Sequence, residues 1–183
     1  NETISEPKNS GIQLIENQDL EELIPYIDCS PFFRSWDLFG KYPQILEDEI
    51  VGEHAKELFA DAQKMLKKIV EEKLLTAKAI FGIFPANSNE QDDIELKNGE
   101  ETFTFRTLRQ QHKKSDGKEY LALSDFIAPK TSGKQDYIGA FAVTTGFGTD
   151  ELAQKYEAEH DDYNAIMVKA IADRLAEAFA EFL

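Results

Sequence analysis

An aspartate at position 28 is the side chain with the clearest capacity for chemistry in this sequence. It lies within residues 25–46 (PYIDCSPFFRSWDLFGKYPQIL), where aromatic residues crowd between prolines and a glycine instead of recurring at a helix or strand period. This pattern is typical of a rigid, irregular surface, and we expect Asp28 to be largely shielded from water there. A shielded carboxylate needs a hydrogen-bond donor, which either the protein or a ligand must supply.

Two interpretations of Asp28 remain open from the residues alone. In the first, the carboxylate binds the ammonium or hydroxyl group of a small ligand through charge-assisted hydrogen bonds. In the second, it forms an Asx-turn or a cap, because it precedes Ser30 and Pro31 and aspartate is common in such turns. The turn is the more frequent role of an aspartate in this setting.

A second pair of acids, Asp173 and Glu177, is four residues apart on a predicted helix and therefore shares one face of it. Two acids at this spacing repel slightly, which is tolerable on a solvated surface and useful where a cationic or hydrogen-bonding partner docks. Arg174 lies beside them, so a plain solvated edge is the more frequent role of such a pair, and docking is the alternative. The triplet at 160–162 (HDD) cannot converge on one metal, because adjacent helical positions diverge.

The sequence predicts no catalytic residues and no metal site of its own. The glycine-rich stretch at 139–148 (GAFAVTTGFG) lacks the spacing of a phosphate-binding loop. No Ser-His-Asp or Cys-His arrangement has local support. With one cysteine and three histidines, a structural zinc site is not expected.

Composition indicates a folded globular protein rather than a disordered chain, with 42% hydrophobic residues over 183 positions. The net charge of −15 argues against nucleic-acid partners and against a membrane surface, because both need clustered Lys and Arg. No apolar run approaches the roughly 20 residues of a membrane span. The single cysteine, Cys29, suits a reducing compartment, and we expect a cytoplasmic protein.

The elements predicted to position these side chains are long helices at either side of a group of strands. A helix is expected over 47–75 and another over 149–183, with Thr149 as its N-cap, and a shorter one before Pro25. The strands are expected at 79–86, 93–96, 101–108, 121–129 and 137–148, with a hairpin turn at Asn98-Gly99. The predicted fold class is therefore α+β, with an antiparallel or mixed sheet and long flanking helices.

The boundaries of the folded part are predicted from the two ends of the sequence. Residues 1–18 are polar and are expected to be a linker or tail, so that the domain covers 19–183. The last helix has no glycine, asparagine or basic residue as a stop signal before Leu183. We therefore expect the domain to be incomplete at its C-terminal end.

Several long stretches, taken together, resemble the C-terminal activation domain of cobalamin-dependent methionine synthase. They cover most of the sequence from residue 23 onward, in the order that the family has. The matching stretches are YIDCSPFFRSWDLFGKYPQILEDEIVG (26–52), FPAN (84–87), LRQQ (108–111), LSDFIAPKTSGKQDYIGAFAVT (123–144) and HDDYNAIMVKAIADRLAEAFAEFL (160–183).

The resemblance implies a role in a methyltransferase of methionine biosynthesis. In that family the domain binds S-adenosylmethionine beside a cobalamin-binding domain of the same polypeptide. When cobalamin is oxidised to cob(II)alamin, an electron from flavodoxin or a flavoprotein reductase and a methyl group from S-adenosylmethionine restore methylcobalamin. The zinc of the full enzyme belongs to a separate homocysteine domain.

The resemblance also implies roles for individual residues. The aspartate that contacts S-adenosylmethionine in the family's YID segment corresponds to Asp28, as the partner of the ligand's α-ammonium. The family's ADRLAE helix corresponds to residues 172–177 and lies near the cobalamin domain, which makes Asp173 and Glu177 candidates for that contact. The family differs at Cys29, where relatives can carry tryptophan, and in the loop at 145–151.

One further departure concerns the residues after Leu183. The family continues there with an Arg-Pro-Ala-x-Gly-Tyr-Pro motif whose arginine takes the ligand carboxylate, and residues 1–183 do not contain it. We therefore do not expect the isolated chain to be active. The alternative function is a non-catalytic, acidic interaction module that docks an electron-transfer partner.

Overall fold

The computed structural model describes residues 4–115 and 117–183 and has the predicted α+β class. Within these residues, five strands pair in one sheet and four α-helices accompany them, with short 3-10 helices in the connections. The strands are β1 (Gly11–Gln18), β2 (Thr76–Ser88), β3 (Asp93–Asn98), β4 (Glu101–Arg106) and β5 (Asp136–Phe147). The helices are α1 (Ser30–Arg34), α2 (Gly52–Glu71), α3 (Thr149–Ala158) and α4 (Asp162–Phe182).

The sheet runs in the order β1-β2-β3-β4, and β5 also pairs with β2. Strand β2 is 13 residues long, and only its last part, Ala86 to Ser88, pairs antiparallel with β3. Strands β3 and β4 form the predicted hairpin, in which Asn98 pairs with Glu101. Gly99 in the turn has a φ of +63°, which glycine adopts without the cost that a Cβ brings. The hairpin prediction is confirmed.

Contacts within the chain divide it into two compact units. The first, here called the helical unit, consists of Leu14–Ala79 and Ala142–Leu183. The second, here called the hairpin unit, consists of Ile80–Phe141 together with the chain up to Gln13. Each unit has its own cluster of buried apolar residues.

The core of the helical unit is built from the apolar faces of α2 and α4. Leu58 and Ile69 from α2, and Leu175 and Phe179 from α4, are at most 2% exposed. Full burial of one such side chain contributes about 1.5–3 kcal/mol, so this core supplies much of the unit's stability. Helix α2 begins later than predicted, at Gly52, because residues 44–47 form a separate 3-10 helix.

The prediction of one helix over 149–183 is wrong, because two helices occupy this range. Helix α3 ends at Ala158, and His160 takes a left-handed φ of +60°, which an α-helix does not accommodate. Asp161 then caps α4, where its side chain accepts a hydrogen bond from the Asn164 N–H at 3.0 Å. Thr149 is not the N-cap of α3; Gly148 holds that position.

Two further predictions are corrected. Residues 121–129 do not form a strand, since Leu123–Phe126 is a 3-10 helix whose first turn is tied by the Asp125 side chain to the Ala122 N–H. Residues 1–18 are not a linker throughout, because Gly11–Gln18 forms β1. In β1 exposed and half-buried positions alternate, so the segment lacks the apolar pattern by which a buried strand is recognised.

Arg109 fixes the long connection between β4 and β5 in the hairpin unit. Its guanidinium donates to Asp92 Oδ2 at 2.9 Å, to Asp125 Oδ2 at 2.7 Å and to the Tyr120 carbonyl at 2.6 Å. These contacts join residues 11 to 17 positions apart in sequence. The ionic network around Arg109 therefore holds together the described parts of this connection.

Acid is expected to weaken the hairpin unit between pH 4 and pH 2. Hydrogen bonds from Arg109 lower the pKa of Asp125 from its ordinary 3.8 to about 2. A lowered pKa in the folded state stabilises the fold above pH 4, and this contribution is lost as the pH falls through 2. Urea midpoints of the wild type and Asp125→Asn should thus differ most above pH 4 and converge near pH 2. A difference that is independent of pH would contradict this assignment.

Candidate functional site

Asp28 lies between two short helical segments of the helical unit. The preceding 3-10 helix (Glu21–Tyr26) ends before it, and α1 begins at Ser30 with Pro31 in its first turn. Asp28 Oδ1 accepts a hydrogen bond from the Ser30 N–H at 2.9 Å. This is the Asx-turn that the sequence left open as an alternative. The turn uses one carboxylate oxygen, and the described residues offer no hydrogen bond to the other.

The environment of Asp28 differs from the expected one. Its side chain is exposed to solvent, so the expectation of a carboxylate shielded from water is wrong. The aromatic residues around it in sequence also divide: Phe32 and Phe33 are buried, whereas Phe39 is 75% exposed and Tyr26 and Tyr42 are partly exposed. Helix α1 directs Phe32 and Phe33 into the core, whereas the stretches of the segment next to its prolines lie at the surface.

Aromatic contacts attach this segment firmly to the long helices. Phe33 stacks on Phe59 of α2, with ring centroids 6.1 Å apart, and on Tyr42 at 6.3 Å. Trp36 packs on Tyr163 of α4 at 5.0 Å. Such pairs contribute roughly 0.5–1.5 kcal/mol each beyond the burial of their area. The expected rigid, irregular surface is therefore present, anchored on both α2 and α4.

Cys29, the neighbour of Asp28, is half-buried beside a small cavity of about 30 Å³. Burial raises the pKa of the Cys29 thiol, and the charge of Asp28 raises it further. The cavity is lined mainly by apolar side chains of the 25–46 segment, α2 and α4, among them Ile27, Phe59 and Ile171. Arg174 of α4 lines the same cavity.

The two acids of α4 are arranged around Arg174. Arg174 Nη2 donates to Asp173 Oδ2 at 2.5 Å, and Nη1 donates to Glu177 Oε2 at 2.7 Å. The side chains of Asp173 and Glu177 are 69% and 65% exposed, whereas that of Arg174 is 11% exposed. The two carboxylates thus face solvent while the cation between them is nearly buried.

The structure brings the two candidate regions into one unit through Arg174. The residues on either side of Asp28, Ile27 and Cys29, border the same cavity as the Arg174 side chain. Sequence reasoning treated Arg174 only as a sign of a solvated edge and missed this position. Its spacing of three from Glu177 and its place on the apolar stripe near Ile171 were the signals that could have indicated it.

Comparison with known proteins decides the family. The model of the family described as "Vitamin B12 dependent methionine synthase, activation domain" matches residues 19–183. The chain belongs to this family. The resemblance noted in the sequence is therefore confirmed, and so is the fold that it implies.

A solved member of the activation-domain family shows how far the similarity extends. The crystal structure titled "Crystal Structure of the MetH Reactivation Domain bound to AdoHcy" is 53% identical and superposes with a TM-score of 0.88. The match covers 96% of this chain but 54% of that chain, so this chain spans about half the length of the crystallised one. Within the described parts, 4–115 and 117–183, no helix has the length and apolar character to cross a membrane.

Proposed function

We propose that this chain is the part of a vitamin B12-dependent methionine synthase that binds S-adenosylmethionine and presents it to the cobalamin-binding domain. The observation that carries the proposal is the Asp28 carboxylate, exposed and oriented by the Ser30 N–H in a chain 53% identical to a domain crystallised with AdoHcy. S-adenosylmethionine and AdoHcy share the same α-amino acid group. A site that binds AdoHcy is therefore expected to hold the ammonium group of S-adenosylmethionine in the same place.

The residues near Asp28 fit an ammonium group. One oxygen of the carboxylate is held at 2.9 Å from the Ser30 N–H, so the carboxylate is oriented before the ligand arrives. The second oxygen is then available to accept from an ammonium, and charge-assisted hydrogen bonds of this type are about twice as strong as neutral ones. Because the turn is already formed, ligand binding does not have to bear the cost of ordering it.

The chain contributes position and charge to the methyl transfer rather than acid–base chemistry. Cobalamin, held by the neighbouring domain, supplies the cobalt that receives the methyl group. On this chain, Asp28 holds the amino acid end of the methyl donor, and Asp173 and Glu177 meet the cobalamin-binding domain. Both acids are exposed on one face of α4, as a docking contact requires.

The remaining partners follow from the family and from charge. The electron for reductive methylation comes from flavodoxin or a flavoprotein reductase, and a net charge of −15 favours a partner with a basic surface. The zinc of such an enzyme serves homocysteine in another domain. The proposed reductive methylation fits a protein of the cytoplasm, a reducing compartment that also suits the single cysteine, Cys29.

Calorimetric titration of S-adenosylmethionine into the full-length protein that carries this chain tests the role of Asp28. The substitution Asp28→Asn keeps the Oδ1 acceptor for the Ser30 N–H and removes the charge. Loss of one charge-assisted contact is expected to weaken binding about 10- to 100-fold while the unfolding temperature stays unchanged.

Asp37→Asn is the matched control, since Asp37 lies in the same segment and its φ of +57° is one that asparagine tolerates. This variant should bind like the wild type. Equal affinities of the Asp28→Asn variant and the wild type would remove Asp28 from the site. No binding by the wild type would instead favour the non-catalytic, acidic interaction module.

A further inference from the structure

Arg174 has an unusual position for a residue with two exposed ion-pair partners. Its side chain is 11% exposed, although those of Asp173 and Glu177 are 69% and 65% exposed. Arginine and lysine more often bury an apolar stem and keep the charged end in water. Here the side chain as a whole is only 11% exposed, and its guanidinium pairs with both exposed carboxylates.

Packing explains why Arg174 stays in one place. The side chain borders the small cavity beside Ile27 and Cys29, with Ile171 from its own helix completing the wall on that side. An exposed ion pair usually contributes little to stability, because two flexible side chains must be ordered to form it. In this cluster packing already orders Arg174. The main effect of its two ion pairs is therefore to orient the carboxylates of Asp173 and Glu177.

Electrostatics points the same way. Asp173 and Glu177 are four residues apart on α4 and would repel each other without a cation between them. Burial lowers the pKa of the Arg174 guanidinium, whereas the hydrogen bonds and charges of Asp173 and Glu177 raise it, and the net direction is upward. The guanidinium therefore stays charged and counters the repulsion between the two carboxylates.

We propose that Arg174 is a positioning residue that holds Asp173 and Glu177 in the orientation in which they meet the cobalamin-binding domain. The inference rests on the proposed function, to which it adds a residue that does not itself touch ligand or cofactor. Ile27 and Cys29 flank Asp28 and line the same cavity as Arg174. The same packed residues therefore support both the docking face and the turn that binds the ligand.

The test uses the full-length enzyme with Arg174→Met, which keeps an apolar stem in the cavity and removes the guanidinium. Formation of methylcobalamin from S-adenosylmethionine, with a chemical reductant as electron source, should show an about tenfold lower kcat at an unchanged KM for S-adenosylmethionine. Hydrogen exchange provides a readout apart from activity, since amides of α4 that docking protects in the wild type should exchange faster in the variant.

A double-mutant cycle separates positioning from a plain structural role. Asp173→Asn with Glu177→Gln should lower kcat by the same factor, and adding Arg174→Met to this pair should lower it no further. Arg174→Lys, which keeps the charge without the two-armed contact, should recover part of the loss. Lys67→Met, which removes an exposed cation paired with Glu71 on α2, should leave every readout unchanged.

Three results would overturn the inference. The first is an unchanged kcat in Arg174→Met, and the second is a loss that multiplies with that of the two acid substitutions. The third is a lower unfolding temperature accompanied by a higher KM, which would make Arg174 a stability residue only. A failure of the proposed function can be distinguished from these results. In that case the Asp28→Asn variant would keep the wild-type KM and affinity for S-adenosylmethionine.

Discussion

Replacing Gly148 by alanine is expected to destabilise the helical unit by about 3–5 kcal/mol, which is a large part of the stability of a typical domain. Gly148 has a φ of +93°, a conformation that side chains of other residues rarely adopt. A Cβ at this position would lie 2.4 Å from the carbonyl oxygen of Leu74. That atom belongs to the backbone, so the clash can be relieved only by moving the chain.

Urea unfolding followed by circular dichroism measures this effect, with Gly146→Ala as the control. Gly146 lies two residues earlier on β5, and a Cβ there would meet nothing closer than the Thr144 hydroxyl at 3.4 Å. Its replacement should change the free energy of unfolding by less than about 1 kcal/mol. Similar midpoints for the two variants would show that the connection from β5 into α3 is not constrained as described.

Phe33→Ala is expected to cost about 3–5 kcal/mol of stability and to weaken ligand binding as well. Phe33 is fully buried and stacks on both Phe59 and Tyr42, so its removal opens a cavity beneath the segment that carries Asp28. The Asx-turn would then be held by local contacts alone. Binding should therefore fall along with stability, in contrast to Asp28→Asn, which should affect binding only.

Phe39→Ala offers a matched control, because this aromatic residue belongs to the same segment but is 75% exposed. Its removal should shift the free energy of unfolding by less than about 0.5 kcal/mol. Unfolding in urea and calorimetric titration of S-adenosylmethionine check both variants. A stable Phe33→Ala protein with normal affinity would mean that the segment does not depend on its anchor to α2.

Local sequence patterns correctly predicted the elements that depend only on residues close together in the sequence. Alternating residues around Asn98-Gly99 indicated the hairpin, and the apolar period over 149–183 indicated helix. The single helix over 149–183 was wrong because the left-handed turn at His160 depends on Asp161 capping the next helix. The apolar string at 121–129 resembled a strand, yet the Arg109 network, formed with distant residues, holds it as a 3-10 helix and loop.

The sequence predicted which side chain forms the candidate site and the turn that it makes, but not its exposure to solvent. Asp28 stands two positions before Ser30 and three before Pro31, and this local sequence indicated the Asx-turn. Whether the neighbouring aromatics cover the carboxylate depends on how α1 is rotated against α2 and α4, and no local pattern carries that information. Arg174 was missed for the same reason. Part of its packing comes from residues about 145 positions earlier in the sequence, and no local pattern reports contacts over such a separation.

The division of the helical unit into two stretches of sequence has a consequence for its biosynthesis. Helix α2 ends at Glu71, and α4, against which its apolar face packs, begins at Asp162. At a synthesis rate of about 5–20 residues per second, α2 leaves the ribosome roughly 5 to 20 seconds before its partner. During that interval Leu58 and Ile69 lack the part of their core that α4 supplies. Chaperones that bind exposed apolar helices therefore have a defined target on the nascent chain, and substitutions that make α2 more polar should reduce its capture.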